Sequence, residues 1–296
     1  MVLAQGLEKS FGNFKAVRGV DFKILPGECF GLLGPNGAGK STIINMIYGA
    51  CRRTGGTLEV LKQDPNTQAA SIKSRLGVVT QENALDESLT VTENMEIYAS
   101  FVGVPKAQRK TRVAELLDYM NLSHKAHGPI RFLSGGMKRR LVFVRALLGN
   151  PDLIILDEPT TGLDPAVRHL IWGKVRELKS QGKTVLLTTH YMHEAEVLCD
   201  RLLIVNQGSV IGGGTPQELI KEHTPGYVAA FEKGTHLPHH NFIQTEDSSG
   251  IYLRAPTLED LLSYQKGAGL TALQLRPANL EDVFLKLTGQ ELTADA

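Results

Sequence analysis

Gly34-Pro35-Asn36-Gly37-Ala38-Gly39-Lys40-Ser41-Thr42 lies between the short apolar run Cys29-Phe30-Gly31-Leu32-Leu33 and a segment, Ser41 to Ile47, whose apolar residues recur at helical spacing. An unbroken apolar run of that length suits a strand buried on both faces of a parallel sheet. The first eight of these nine residues fit G-x-x-x-x-G-K-[ST], and each residue type in that pattern has a physical task. Glycines let successive backbone N–H groups turn inward around phosphate oxygens where a Cβ would clash. The helix behind the loop presents its positive N-terminus to the same anion. Lys40 is expected to bring a point charge to the β- and γ-phosphates, and the Ser41 hydroxyl to ligate Mg²⁺. With a strand before it and a helix after it, the loop predicts nucleotide binding. By itself it does not separate a kinase, a GTPase and a motor.

Working outward, the residues before the loop read as β structure: Val20, Phe22 and Ile24 alternate with polar neighbours, and Pro26-Gly27-Glu28 makes a turn. Beyond the loop, Leu76 to Thr80, Leu153 to Asp157, Val185 to Thr189 and Leu202 to Val205 are buried-strand candidates. Helical spacing falls roughly at 91–102, 106–120, 135–149, 165–180 and 191–198, with Met192, Ala195 and Leu198 on a core-facing side of the last. Alternating strands and helices predict an α/β fold with a parallel sheet covered on both faces. The helix-rich stretch 55–135 reads as a helical insertion. After about residue 224 the turns Thr224-Pro225-Gly226, Lys233-Gly234-Thr235 and Ser248-Ser249-Gly250 punctuate short elements, so the division expected is a main domain over 1–224 and a small α/β appendage over 225–296. Gly212-Gly213-Gly214 before Thr215-Pro216 reads as a turn into a helix.

Leu153-Ile154-Ile155-Leu156-Asp157-Glu158 is an apolar strand ending in two carboxylates. Asp157, at the strand end, is placed to hold Mg²⁺ through a bound water. Glu158, one residue further, points elsewhere and is expected to polarise the attacking water. A lone acid there would read as a surface carboxylate. Two of them in a chain that already carries a phosphate loop favour hydrolysis over transfer to a second substrate.

Bulk properties bound the rest. In 296 residues, 32 Lys and Arg face 31 Asp and Glu, a net charge of +1 that gives no reason to expect a nucleic-acid partner. The densest cationic cluster of its kind, Lys138-Arg139-Arg140, reads as one solvated helix turn. Cys29, Cys51 and Cys199 are odd in number and widely spaced, as in a reducing compartment. His236, His239 and His240 lack acids or cysteines at ligand spacing and read as a polar loop. No apolar run approaches the ~20 residues of a spanning helix, and the N-terminus lacks the pattern of a signal peptide. The expected location is the cytoplasm.

Leu133-Ser134-Gly135-Gly136-Met137 supplies the family. Taken alone it is a helix cap, with Ser134 at the N-cap and the helix starting at Gly135. Together with the phosphate loop, however, it resembles the signature loop of ATP-binding-cassette (ABC) ATPases, and the resemblance extends from residue 3 to about 222. Phe11 in Lys9-Ser10-Phe11-Gly12 matches the family's adenine-stacking aromatic; the alternative is a core aromatic near a strand end. Gln81 matches the glutamine that touches Mg²⁺ and links the site to the membrane subunit, although without that spacing it is a polar loop residue. Thr160-Thr161-Gly162-Leu163-Asp164-Pro165 resembles the loop that crosses the dimer interface, and Asp164-Pro165 is also a good N-cap and N1 pair. His190 resembles the histidine that contacts the γ-phosphate.

The resemblance implies a P-loop cassette with an antiparallel N-terminal part and a helical insertion. It also implies an ATPase with Mg²⁺, pairing with a second copy of the cassette and driving a multi-spanning permease from the cytoplasmic membrane face. Each ATP is then expected between one copy's Lys40, Ser41, Gln81, Asp157, Glu158 and His190 and the other's Ser134 and Gly136. Met137 departs from the glutamine common at its position and lacks the amide's hydrogen bonds. That methionine, the run Cys29 to Leu33, Lys138-Arg139-Arg140-Leu141, Arg168-His169-Leu170-Ile171-Trp172 and the closing segment Leu280 to Gly289 resemble the branch exporting drugs, polyketides, polysaccharides and nodulation factors. The alternative is a non-transport ABC ATPase of DNA repair, chromosome structure or translation. Those usually carry a long coiled-coil insertion or two cassettes, and neither is evident.

Overall fold

The computed structural model describes residues 1–247 and 249–289. It divides into two compact units, Met1–Gly213 and Gly214–Ala296. The first begins with strands β1 (Val2–Phe11) and β2 (Phe14–Ile24), then β3 (Cys29–Leu33), helix α1 (Lys40–Ile47), β4 (Gly55–Val60), α2 (Pro65–Lys73) and β5 (Leu76–Val79). Three helices follow, α3 (Val91–Phe101), α4 (Lys106–Tyr119) and α5 (Gly135–Ala146). The unit closes with β6 (Leu153–Asp157), α6 (Pro165–Ser180), β7 (Thr184–Thr189), α7 (Met192–Leu198), β8 (Arg201–Asn206) and β9 (Ser209–Gly214).

Two sheets share this unit. The antiparallel one has the order β2-β1-β4 and the larger one β5-β6-β7-β3-β8-β9. In the larger sheet β5, β6, β7, β3 and β8 run parallel. Every residue of β3 and β7 is buried, the three threonines of β7 included, as suits strands covered on both faces. Helix α1 joins the sheets: Ile43, Ile44, Met46 and Ile47 share one core with Val2, Val20 and Leu58 of the small sheet and Phe30, Ile155 and Leu186 of the large one. Helices α3, α4 and α5 pack on one another as the helical insertion, with α5 also against β5.

Because β3, β6 and β7 are parallel neighbours, their carboxyl ends line one edge, the place where open α/β sheets hold ligands. The register pairs Asp157 with Thr188 and Leu33 with Thr189, so the phosphate loop, the acidic pair and His190 leave the sheet side by side.

Gly212, Gly213 and Gly214 are not the expected turn; they finish edge strand β9. A Cβ on Gly213 would meet Leu203 Cδ2 at 2.6 Å, so the glycine answers a close approach to the adjacent strand. The turn lies earlier, at Gln207 and Gly208, both with positive φ (48° and 80°), the pattern of a two-residue hairpin.

The second unit holds α8 (Pro216–His223), which precedes the boundary expected at residue 224, then β10 (Tyr227–Phe231), β11 (Ile243–Glu246), β12 (Ile251–Ala255), α9 (Leu258–Ala268), β13 (Gln274–Pro277) and α10 (Leu280–Thr288). Its strands form an antiparallel sheet of order β11-β12-β10-β13. Leu261 of α9 is buried with Ala229, Phe231, Leu253 and Ala255. Asp282 of α10, 5% exposed, accepts from Arg254 at 3.1 Å and Arg276 at 2.7 Å and fixes that helix to the strands.

Candidate functional site

The phosphate loop is built where glycine is obligatory. Gly39, at the N-cap of α1, has φ 104°, and a Cβ there would lie 2.6 Å from the Ala16 carbonyl oxygen. At Gly34 the same atom would stand 2.2 Å from Val205 O. Lys40 Nζ donates to Gly34 O at 2.7 Å and Pro35 O at 3.1 Å, so the ammonium is held over its own loop. Burial pushes Lys40 below the ordinary lysine value, while Glu158 and Asp157 act against that shift. Ser41 and Asn36 are exposed, Pro35 and Thr42 are half-buried, and Ala38 is packed inside.

Asp157 and Glu158 meet different partners. Thr188 Oγ1 donates to Asp157 Oδ1. Burial raises the Asp157 carboxyl, opposed by that hydrogen bond and reinforced by the neighbouring Glu158 charge. Glu158 sits at φ 47°, a left-handed conformation that costs a non-glycine residue about 1–2 kcal/mol. Its N–H donates to Thr188 O at 3.0 Å and is 3.2 Å from Thr188 Oγ1. Its Oε2 lies 3.3 Å from His190 Nδ1, and the histidine holds the carboxyl below its ordinary value, with burial opposing. Lys40, Asp157, Glu158, Thr188 and His190 thus form one cluster.

The remaining residues stand on other elements. Phe11, 53% exposed at the end of β1, is not a core aromatic; Lys9 Nζ lies 4.7 Å above its ring. Gln81 is exposed just past β5. Ser134 caps α5 by accepting from Met137 N at 3.3 Å, and Ser134 and Gly135 face solvent. Asp164 caps α6, accepting from Val167 N at 2.9 Å. A Cβ on Gly136 would meet Val167 Cγ2 at 3.2 Å, so the starts of α5 and α6 lie against each other.

The run Lys138-Arg139-Arg140 corrects its sequence reading. Arg139 is 5% exposed and its guanidinium is buried among carbonyl oxygens, not solvated. Thr188 and Glu194 were also missed. Glu194, fully buried on α7, accepts from Thr160 Oγ1 at 2.8 Å and Trp172 Nε1 at 2.7 Å, and so anchors the loop that leads to Asp164.

The arrangement suits a nucleotide with Mg²⁺. Gly34 and Gly39 let the loop pack against the Val205 and Ala16 carbonyls while Gly37 is left with open space around it, and Asp157 and Ser41 offer the hard oxygen donors that Mg²⁺ prefers.

Comparison with known proteins agrees. Residues 17–161 match the family described as ABC transporter, and residues 250–289 match the Nodulation factor export protein NodI, C-terminal domain. The Nod factor export ATP-binding protein I of Ralstonia nicotianae is 43% identical, over 97% of this chain and 94% of its own. That of Mesorhizobium japonicum is 44% identical, over 97% and 86%. Among solved structures, an ATP-binding subunit of an ABC transporter aligns with TM-score 0.69 at 29% identity, covering 75% of this chain and 92% of its own. A dimeric ATP-binding cassette in a post-hydrolysis state, bound to ADP and Pi, aligns with TM-score 0.67 at 28% identity, covering 73% and 98%. The non-transport alternative finds no support in these relatives. The chain belongs to the family of ABC transporter ATP-binding subunits, in the group of the Nod factor export ATP-binding proteins, and is an ATP-hydrolysing cassette.

Proposed function

We propose that two copies of this chain pair head to tail and enclose each ATP between one copy's phosphate loop and the partner's Ser134 and Gly136. The observation that carries this reading is the solvent-facing start of α5: a helix N-terminus with free N–H groups, remote in sequence from the cluster around Lys40. That a solved cassette of the same fold is dimeric and holds ADP and Pi supports the pairing of two copies.

Within each site Phe11 stacks on adenine, and backbone N–H groups of the loop Gly34 to Thr42 cradle the phosphates, Pro35 having none to donate. Lys40 offsets the charge of the β- and γ-phosphates. Ser41, Asp157 and Gln81 hold Mg²⁺, which when bound neutralises charge on the phosphate oxygens. Glu158 takes a proton from the attacking water at its carboxylate while the bond between the β and γ groups breaks. His190 orients Glu158 and contacts the γ-phosphate. Asp164 belongs to the crossing between copies. Hydrolysis replaces a triphosphate that bridges two positive helix ends by separate diphosphate and phosphate, and the halves part.

The opening is passed to a multi-spanning permease through residues 82–103, at the cytoplasmic membrane face. Among the described residues no helix is long and apolar enough to cross a membrane, so the pathway is assigned to that partner. Its cargo is proposed to be of the Nod-factor kind, on the strength of the nearly full-length relatives and the C-terminal match. Residues 1–224 are assigned to the cassette and 225–296 to an accessory domain.

The test is a mixed dimer. Ser134→Arg and Lys40→Ala each abolish hydrolysis alone, but combining the two variants leaves one site with an intact loop and an intact tip. Activity above that of both parents is expected; none would remove the shared site.

A further inference from the structure

We infer that Arg139 is a positioning residue that ties the catalytic Glu158 and the Gln81 segment to the signature helix α5. The inference rests on the site reading above and concerns how that site is held. A guanidinium has five N–H donors in a rigid plane, and here each has a carbonyl acceptor. Nε donates to Pro159 O at 2.8 Å. One terminal nitrogen donates to Thr80 O at 2.5 Å and Gln81 O at 3.0 Å, the other to Asp157 O at 3.1 Å and Glu158 O at 2.8 Å.

Two consequences follow from these partners. The carbonyl of Glu158 follows a backbone at φ 47°, a conformation that persists only where its surroundings over-determine it. Thr188 fixes the N–H side of that residue and Arg139 fixes its carbonyl. The same plane also grips the chain leaving β5, and α5 holds that segment twice more: Lys138 pairs with Glu87, and Arg145 donates to Ala84 O at 2.7 Å. Ser134 caps the same helix little more than one turn before Arg139. A shift of the α5 tip is therefore carried to Gln81 and Glu158 of the same copy. Through it, the contact that Ser134 makes with the partner's nucleotide adjusts this copy's own carboxylate, and the two sites of the dimer are coupled.

The test uses the full chain with Arg139→Lys and Arg139→Gln. Lysine has three donors on a compact head and cannot span five acceptors. Both variants are expected to lose tenfold or more in kcat, to keep KM for ATP within twofold, and to lose cooperativity in ATP concentration. Combined with Glu158→Gln, Arg139→Lys is expected still to give an ATP-dependent dimer by light scattering, because Ser134 and the phosphate loop are untouched. Wild-type kcat, a loss confined to KM, or failure of both variants to fold would overturn the role of Arg139. Failure of Glu158→Gln alone to accumulate a dimer would instead count against the shared site.

Discussion

His190 Nδ1 and Thr161 Oγ1 both lie 3.3 Å from one atom, Glu158 Oε2. The carboxylate is therefore oriented from two sides, by the residue that follows β7 and by the loop that follows β6. The adjacent Asp157 carboxylate meets neither and is held by Thr188, so two neighbouring acids occupy distinct electrostatic settings. Splitting paired carboxylates in this way assigns them different roles.

The pairing with His190 gives a pH signature. The Glu158 carboxyl is held below its ordinary 4.5, so its contribution to stability is present above that value and is lost as pH falls through the lower, folded-state value. In His190→Ala burial remains without the compensating hydrogen bond, and the contribution disappears. Melting curves in steps from pH 6 downward should show the gap between wild type and His190→Ala narrowing below 4.5. A gap independent of pH would refute the pairing.

Glu158→Gln keeps the shape of the side chain and removes its basicity. A general base contributes about 10²–10⁴-fold to rate, so kcat should drop by that factor while ATP binding persists. Phosphate release and nucleotide binding, measured side by side, distinguish this from a variant that no longer binds.

Asp157→Asn should separate stability from activity. Burial raises the Asp157 carboxyl above its ordinary 3.8, so the folded state is penalised increasingly as pH rises past that value. Without nucleotide or Mg²⁺ at pH 7, the variant should melt higher than wild type, and its Mg²⁺-dependent hydrolysis should fall. A lower melting temperature would show that the charge is satisfied by its neighbours.

In the second unit Asp282 is the vulnerable point. Its carboxylate answers both Arg254 and Arg276 and also caps α10 in a reciprocal box with Asn279. Breaking a buried pair on one side costs roughly 3–5 kcal/mol. Asp282→Ala should therefore make the stretch from β10 onward sensitive to protease while the P-loop unit stays protected, which mass spectrometry of a limited digest would read directly.

Much of the site was legible because its residues sit in contiguous motifs at strand ends, where the strand fixes where the next residue goes: Gly34 to Thr42 after β3, Asp157 and Glu158 after β6, His190 after β7. Arg139 was misread because consecutive helix residues point about 100° apart, and a run of three cations does not say which one turns inward. The phase of the helix does not decide it either: Leu141, Val142, Phe143 and Val144 are all buried, so steps of three and four residues back from them reach Lys138 and Arg140 as well as Arg139. Strand β4 was hidden by its two glycines. A Cβ on Gly56, at φ 68°, would lie 2.0 Å from Gly6 O, so glycine there serves a close crossing with β1 instead of marking a break. Thr188 was seen only as strand, since its hydroxyl gains meaning from register with Asp157, which no local window contains.

The backbone at Glu158 is one that glycine occupies at little cost and glutamate does not. A lineage under pressure only to persist as a folded body would drift toward a smaller residue there. A copy of this cassette freed from hydrolysing ATP would therefore gain stability by exchanging the acid at position 158 for glycine.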